Sequence, residues 1–318
     1  PVTSHAIAAA MLLAAGTAAA QGYPAKPSRV VVPFPAGGIA DLFARHIGQK
    51  FNDAWGQPVV VDNRPGAGGN IGAEIVAKSP PDGYTLVMGS IGTHSVNVSL
   101  FSKLPYEPLR DFAPVALVME AEGLLVLHPS VPAKSVKELV ALARPGQVAY
   151  ASAGHGTASH LAGELFKSMA KVDMVHVPYK GNVPAITDLI GGQTSLLFAT
   201  MPTVLPQVQA GRLKALAVTS SARSPAAPEL PTIAEAALPG YSVTNWIGLF
   251  APAGTPRDIV VKLNGETVRV MQTPEIQKRL TSEGAKFTRT TPDEFTAFVK
   301  SEIAKWAKVV KEAGIRVD

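Results

Sequence analysis

The sequence contains no cysteine. That absence removes disulfides, thiolate metal sites, a Cys nucleophile and a lipid-modified N-terminal Cys from consideration. Stability must come from buried apolar surface, and 318 residues that are 47% hydrophobic can supply it in about two domains. Charge is sparse as well, at 17% of residues. The net charge is +5, yet Lys and Arg are scattered with no run of five, and aromatics amount to only 6%. This pattern argues against a nucleic-acid partner and leaves a mild positive field that favours small acids. After residue 20 no run approaches the roughly eighteen unbroken apolar residues of a membrane span.

Motifs of catalysis and nucleotide binding are missing too. The first strand is not followed by G-x-G-x-x-G, and G-x-x-x-x-G-K-[ST], G-x-S-x-G and H-E-x-x-H do not occur. No two of the seven histidines share a spacing that suggests a metal pair. The expectation is therefore no catalytic residue, no metal and no cofactor.

What is present centres on Val30 to Asp41, VVVPFPAGGIAD. Three β-branched residues predict a buried strand, Pro33 and Pro35 stop it, and Gly37 and Gly38 permit a tight turn into a helical pattern. Such a turn puts free backbone N–H groups and the positive end of a helix dipole at one point, which suits a carboxylate. A second turn of this kind is Tyr150 to His160, YASAGHGTASH. Two lobes, each offering one glycine turn to a shared cleft, are the simplest arrangement.

The chain in order supports that division. Residues 1–20, with an apolar run from Ala6 to Ala15 and Ala18, Ala19 and Ala20 before Gln21, read as a secretory signal. Alternating strands and helices follow, with glycine loops at NRPGAGG (63–69) and GSIGTH (89–94), in the doubly wound α/β pattern that binds ligands at the carboxyl ends of its strands. Phe112 to Met119 and Leu124 to His128 read as two apolar runs separated by a polar break, the crossing into the second lobe. The strand around Trp246 reads as the return, and the amphipathic stretch Pro292 to Ala313 rejoins the first lobe. The expected boundaries are 21–122 with 246–318 for lobe 1 and 123–245 for lobe 2.

Individual residues carry two readings each. His176, in a Val-rich strand, reads as a buried residue bonded to a neighbouring loop. His155 and His160 either meet the ligand or brace the second turn, and His94 is a similar case. Asp41 either braces its turn through backbone N–H groups or meets a ligand, and Phe34 either packs in the core or walls the cleft. The hydroxyls of Ser90, Thr93, Ser152 and Thr157 read as orienting hydrogen bonds, with no base predicted beside them.

The ordered motifs PFPAGGIAD, VDNRPGAGGNIGAE, PPDGYTL, SAGHGTASHLA, VHVPYKG, LPTIAEAALPGY and FAPAGTP resemble the tripartite tricarboxylate transporter substrate-binding family, also called the Bordetella uptake gene proteins. The resemblance implies a periplasmic, two-lobed, type II periplasmic-binding-protein fold that closes like a Venus flytrap on a small organic acid. It implies ligand contacts from Phe34, Ala36, Gly37, Gly38 and Asp41 in the first lobe and from Ser152, Gly154, His155, Gly156 and Thr157 in the second. Ser90, Thr93 and Ala199 are the looser candidates for the distal end of the ligand. It further implies a monomer that hands a di- or tricarboxylate, acidic amino acid or aromatic acid to membrane permease subunits, or reports it to a sensor kinase. An exported enzyme using His155 or His160 as a base is the alternative.

Overall fold

A computed structural model describes residues 22–143, 146–282, 284–312 and 314. The segment read as a secretory signal lies outside them. The strands are β1 (Ser28–Val32), β2 (Val59–Asn63), β3 (Thr85–Ser90), β4 (Phe112–Leu127), β5 (Ala149–Ser152), β6 (Val175–Pro178), β7 (Leu196–Thr200), β8 (Lys214–Val218), β9 (Thr244–Pro252) and β10 (Ala285–Lys286). They run side by side as β2-β1-β3-β9-β4-β7-β5-β6, with β8 and β10 also pairing β4. β1, β2 and β3 are parallel, with β2 at the sheet edge and its Val60 exposed, and β5 is parallel to β6 and β7. β4 and β9 are antiparallel and lie between these two parallel groups.

β4 corrects the reading of two apolar runs with a polar break. It is one strand of 16 residues. Glu120 and Glu122 are half-buried on either side of buried Ala121, the alternation of a strand with one drier face. Glu120 is held there by Lys286 of β10 at 3.5 Å. The first part of β4 pairs with β9 as far as Glu122↔Thr244, and from Gly123↔Thr200 onward it pairs with β7. Gly123 stands at this handover, and only hydrogen fits: a Cβ there would lie 2.6 Å from Thr219 Oγ1.

The third loop also differs from its reading. β3 runs to Ser90, and Gly92–Val96 forms a wide π-helical turn whose Thr93, His94 and Ser95 are fully buried. His94 stacks on Phe250 with centroids 3.8 Å apart, so this segment is core rather than open loop.

One apolar cluster runs through both lobes, from Val31 and Val87 to Tyr150, Phe166 and Phe198, and includes Trp246 and Trp306. The C-terminal helix Pro292–Glu312 closes over it, its Phe295, Val299, Trp306 and Val310 buried as the sequence spacing demands. Glu302 is buried between two indoles, accepting from Trp246 Nε1 at 3.1 Å and Trp306 Nε1 at 3.0 Å.

Candidate functional site

Four helix N-termini converge on one cavity of about 70 Å³. Gly38, Ile39 and Ala40 open the helix Ile39–Trp55, and Thr157, Ala158 and Ser159 open Ala158–Ala170. Asn182 and Val183 start Asn182–Ile190, and Thr200 precedes Met201–Gln209. None of these four helices has a side-chain cap, whereas Ser135 and Thr232 cap helices elsewhere in the chain. The first N–H groups of a helix need a partner. Here residues at four such N-termini line one cavity, where helix dipoles favour an anion.

The remaining wall is mostly apolar. Phe34, Pro35, Ile91, Phe198, Val243 and Ile247 supply it, with Ser90, Thr219 and Asn245 as polar points. No Lys, Arg, His, Asp or Glu lines the cavity. Asn245 Nδ2 is already committed to Thr200 Oγ1 at 3.1 Å, and Ser159 Oγ accepts from Ala153 N at 2.8 Å. Asn182 Oδ1, by contrast, is buried without a partner among the described residues. A buried amide in that state calls for a ligand or water.

Of the residues singled out from the sequence, Phe34, Gly38, Ser90, Thr157 and Ala199 line the cavity. Asp41 does not; it braces the first turn, its carboxylate accepting from Gly37 N at 2.9 Å, Asn63 Nδ2 at 3.0 Å and Arg45 Nε at 3.0 Å. Burial alone would raise the Asp41 pKa, but the hydrogen bonds from Arg45, Gly37 and Asn63 outweigh it and hold the carboxyl below its ordinary value. Ala36 and Gly37 sit on the turn above the cavity, and Thr93 lies beneath it, bonded to Ser90 N at 3.0 Å. Ser152, Gly154, His155 and Gly156 likewise stand behind the wall rather than on it.

Of these, Gly154, His155 and Gly156 lie against Gly68, Gly92 and Asn97 across the cleft. A Cβ built on Gly68 would collide with the His155 carbonyl oxygen, and one on Gly156 with Asn97 Oδ1. A Cβ on Gly92 would come within 2.5 Å of the Gly156 carbonyl oxygen. Bare backbone on both sides is what lets the two turns touch. A Cβ on Gly181 would likewise press on the Pro35 ring, 2.6 Å from its Cδ.

His176 corrects its reading too. It is half-buried and its Nε2 lies 2.6 Å from Ser152 Oγ, a partner on the adjacent β5 rather than in a loop. His155, His160 and His176 come together, which their spacing did not suggest. Burial pushes the pKa of His160 and His176 down to about 3, with the neighbouring imidazoles adding to the effect. Ser152 and His176 resemble a nucleophile and base, but Ser152 is fully buried and neither residue reaches the cavity.

Two lobes joined by crossing strands, closing on a cavity walled by helix N-termini, define a solute-binding protein of type II architecture. The profile described as "Tripartite tricarboxylate transporter family receptor" matches residues 43–315, and the chain belongs to that family. It is 40% identical over 306 residues to protein BugT of Bordetella pertussis, covering 95% of this chain and 94% of that protein. Among solved structures it resembles R. palustris Rpa4515 with adipate, at 38% identity, a TM-score of 0.89 and coverage of 93% of this chain and 100% of that one. MatC from Rhodopseudomonas palustris with bound malate matches at 38% identity and a TM-score of 0.86, covering 91% of this chain and 100% of that one. The Rpa4515 structure thus contains adipate and the MatC structure malate. Among the described residues no helix is long and apolar enough to cross a membrane.

Proposed function

We propose that this protein captures a small dicarboxylate in the periplasm and delivers it to the permease of a tripartite tricarboxylate transporter, without chemical change. The observation that carries this reading is the convergence of four uncapped helix N-termini on a cavity with no charged side chain. A carboxylate is stabilised there by oriented N–H groups and dipoles, and water exclusion makes each of them stronger. The apolar wall suits a methylene chain between two acid groups. An acidic amino acid fits poorly, because its ammonium would find no carboxylate on the wall. The adipate and malate bound by the relatives Rpa4515 and MatC support the same class.

The ligand contacts we assign are Phe34, Gly38, Ser90, Thr157, Asn182 and Ala199, with Gly37 and Gly154 shaping the turns that carry them. Lobe 1 comprises 21–122 with 246–318, and lobe 2 comprises 123–245; the handover of β4 from β9 to β7 at Gly123 supports this division.

A thermal-shift screen tests the reading. A ligand at about 100 times its dissociation constant adds roughly 2.7 kcal/mol of stability. C4 to C6 dicarboxylates should raise the midpoint, while glutamate and neutral sugars should not. If glutamate shifts it and no dicarboxylate does, the assignment of the class fails. Release of the bound acid unchanged on denaturation separates a binding protein from an enzyme.

A further inference from the structure

His155, His160 and His176 reach one another from three elements: the second-lobe turn, the first turn of the helix Ala158–Ala170, and β6. One nitrogen from each ring lies within 4.8 Å of the other two. Three of the seven histidines in the chain therefore share one cluster, and His155 Nδ1 is buried with no partner among the described residues. Buried polar atoms in native proteins are nearly always satisfied, so an orphan within a cluster of ligand-type groups points to something that occupies the space between them.

We propose that these three histidines form a binding site for a divalent transition-metal cation, zinc fitting best. Imidazole nitrogen is a preferred ligand of zinc, and three histidines with one water complete a tetrahedral shell. An ion centred among three atoms no more than 4.8 Å apart lies at most about 2.8 Å from each. Each ring then moves by under about 1 Å to reach the zinc–nitrogen distance of about 2.0–2.1 Å. Burial keeps His160 and His176 neutral, the form that binds metal.

Two existing contacts define the cost of entry. Gly156 N donates to His160 Nδ1 at 3.2 Å, and Ser152 Oγ lies 2.6 Å from His176 Nε2. A neutral ring whose Nδ1 accepts a bond carries its proton on Nε2. A metal on Nδ1 displaces the long Gly156 contact, a metal on Nε2 moves the ring proton to Nδ1 and loses the same contact, and affinity falls as pH falls. The charged groups nearest His160 and His176 are Glu164 and Lys167, which pair with each other at 3.1 Å and leave no strong net field. The consequence of occupancy is local rigidity. The turn from Gly154 to Thr157, which touches Gly68 and Asn97 of the other lobe, would be pinned to β6 and the helix behind it.

Tag-free, chelator-dialysed protein titrated with cobalt chloride tests this directly. One ion per chain should bind, with the intense visible band of tetrahedral cobalt, and zinc chloride should displace it. His160→Gln and His155→Gln should each weaken binding at least as much as the roughly 10- to 100-fold loss that removing an outer-shell partner brings. His128→Gln should leave it unchanged, because His128 is bonded to Ser130 Oγ at 2.7 Å, away from the cluster. Should His160→Gln fail to fold, His155→Gln on the half-buried turn decides the matter. Absence of saturable cobalt binding, or binding that survives His155→Gln, overturns the proposal. The readout needs no organic ligand, so it stands or falls separately from the dicarboxylate assignment.

Discussion

Replacing Gly68 with Ala should uncouple ligand affinity from stability. Gly68 has φ +64, and a Cβ there would sit against the His155 carbonyl oxygen and 3.2 Å from its carbon. Both groups are backbone, so neither can rotate aside. Restoring ordinary van der Waals separation needs the two turns to part by about 1 Å or more, and the packing across the cleft is lost with it. The positive φ itself costs roughly 1–2 kcal/mol in an alanine. That strain is present with and without ligand and so cancels from affinity. Gly211, with φ +70 and nothing within 4 Å of its Cβ position, separates the two effects. Isothermal titration with the acid chosen by the thermal-shift screen should show Gly68→Ala binding about 10- to 100-fold more weakly, a loss of about 1.4–2.8 kcal/mol. Gly211→Ala should lose stability alone. Equal affinity in the two variants would refute the argument that contact between the turns closes the cleft.

Asn182→Leu removes a cavity-wall oxygen that is buried without a partner among the described residues, and calorimetry should show dicarboxylate affinity about tenfold lower with the urea midpoint of the free protein little changed. Glu302→Leu leaves the N–H groups of Trp246 and Trp306 buried and unpaired; urea unfolding should report a loss of about 2–5 kcal/mol. The depressed pKa of His160 and His176, about 3 against an ordinary value near 6.5, means that the unfolded chain binds more protons. Stability is complete above about pH 6.5 and declines below it, by up to about 1.4 kcal/mol per pH unit for each ring. His176→Gln should flatten that slope in urea midpoints taken between about pH 7.5 and 5.5. Asp41, held below its ordinary pKa by its three donors, stabilises the fold above the usual carboxylate range and ceases to do so as pH falls through its depressed value; Asp41→Asn should lower stability at neutral pH and shrink the loss on acidification.

Local signals carried much of this architecture. The Val run of β1 marks a strand buried in a parallel sheet, whereas the similar run of β2 lies at the sheet edge with Val60 exposed, and Gly37, Gly38 and Thr157 mark two helix starts that do face the cavity. The amphipathic C-terminal helix was legible from its apolar spacing alone. Asn182 was legible by the same logic and overlooked: VHVPYKGN is a strand, a glycine and a helix start, a third copy of the pattern recognised at the first two turns. β4 was misread because Glu120 and Glu122 look like a break. Their alternation about Ala121 is a strand signal, and the lysine that holds Glu120 lies 166 positions further along the chain, at Lys286.

The residues that local signals could not place are those whose role depends on a partner far away in sequence. Gly154 and Gly156 read as addressing an anion when only their own turn is in view. In the fold their backbone meets Tyr179, Gly68 and Asn97, and their lack of a side chain also serves that contact. His155, His160 and His176 follow the same rule. A metal pair on one helix repeats at three or four residues, and the spacings of 5 and 16 residues here match no such period. The proximity arises because β6 lies parallel to β5 and sets His176 opposite Tyr150, two residues before Ser152, beneath the turn that carries His155. Helix starts are written in consecutive residues and survive a linear reading. A site assembled by strand pairing is written in the register, and the register exists only once the sheet has formed.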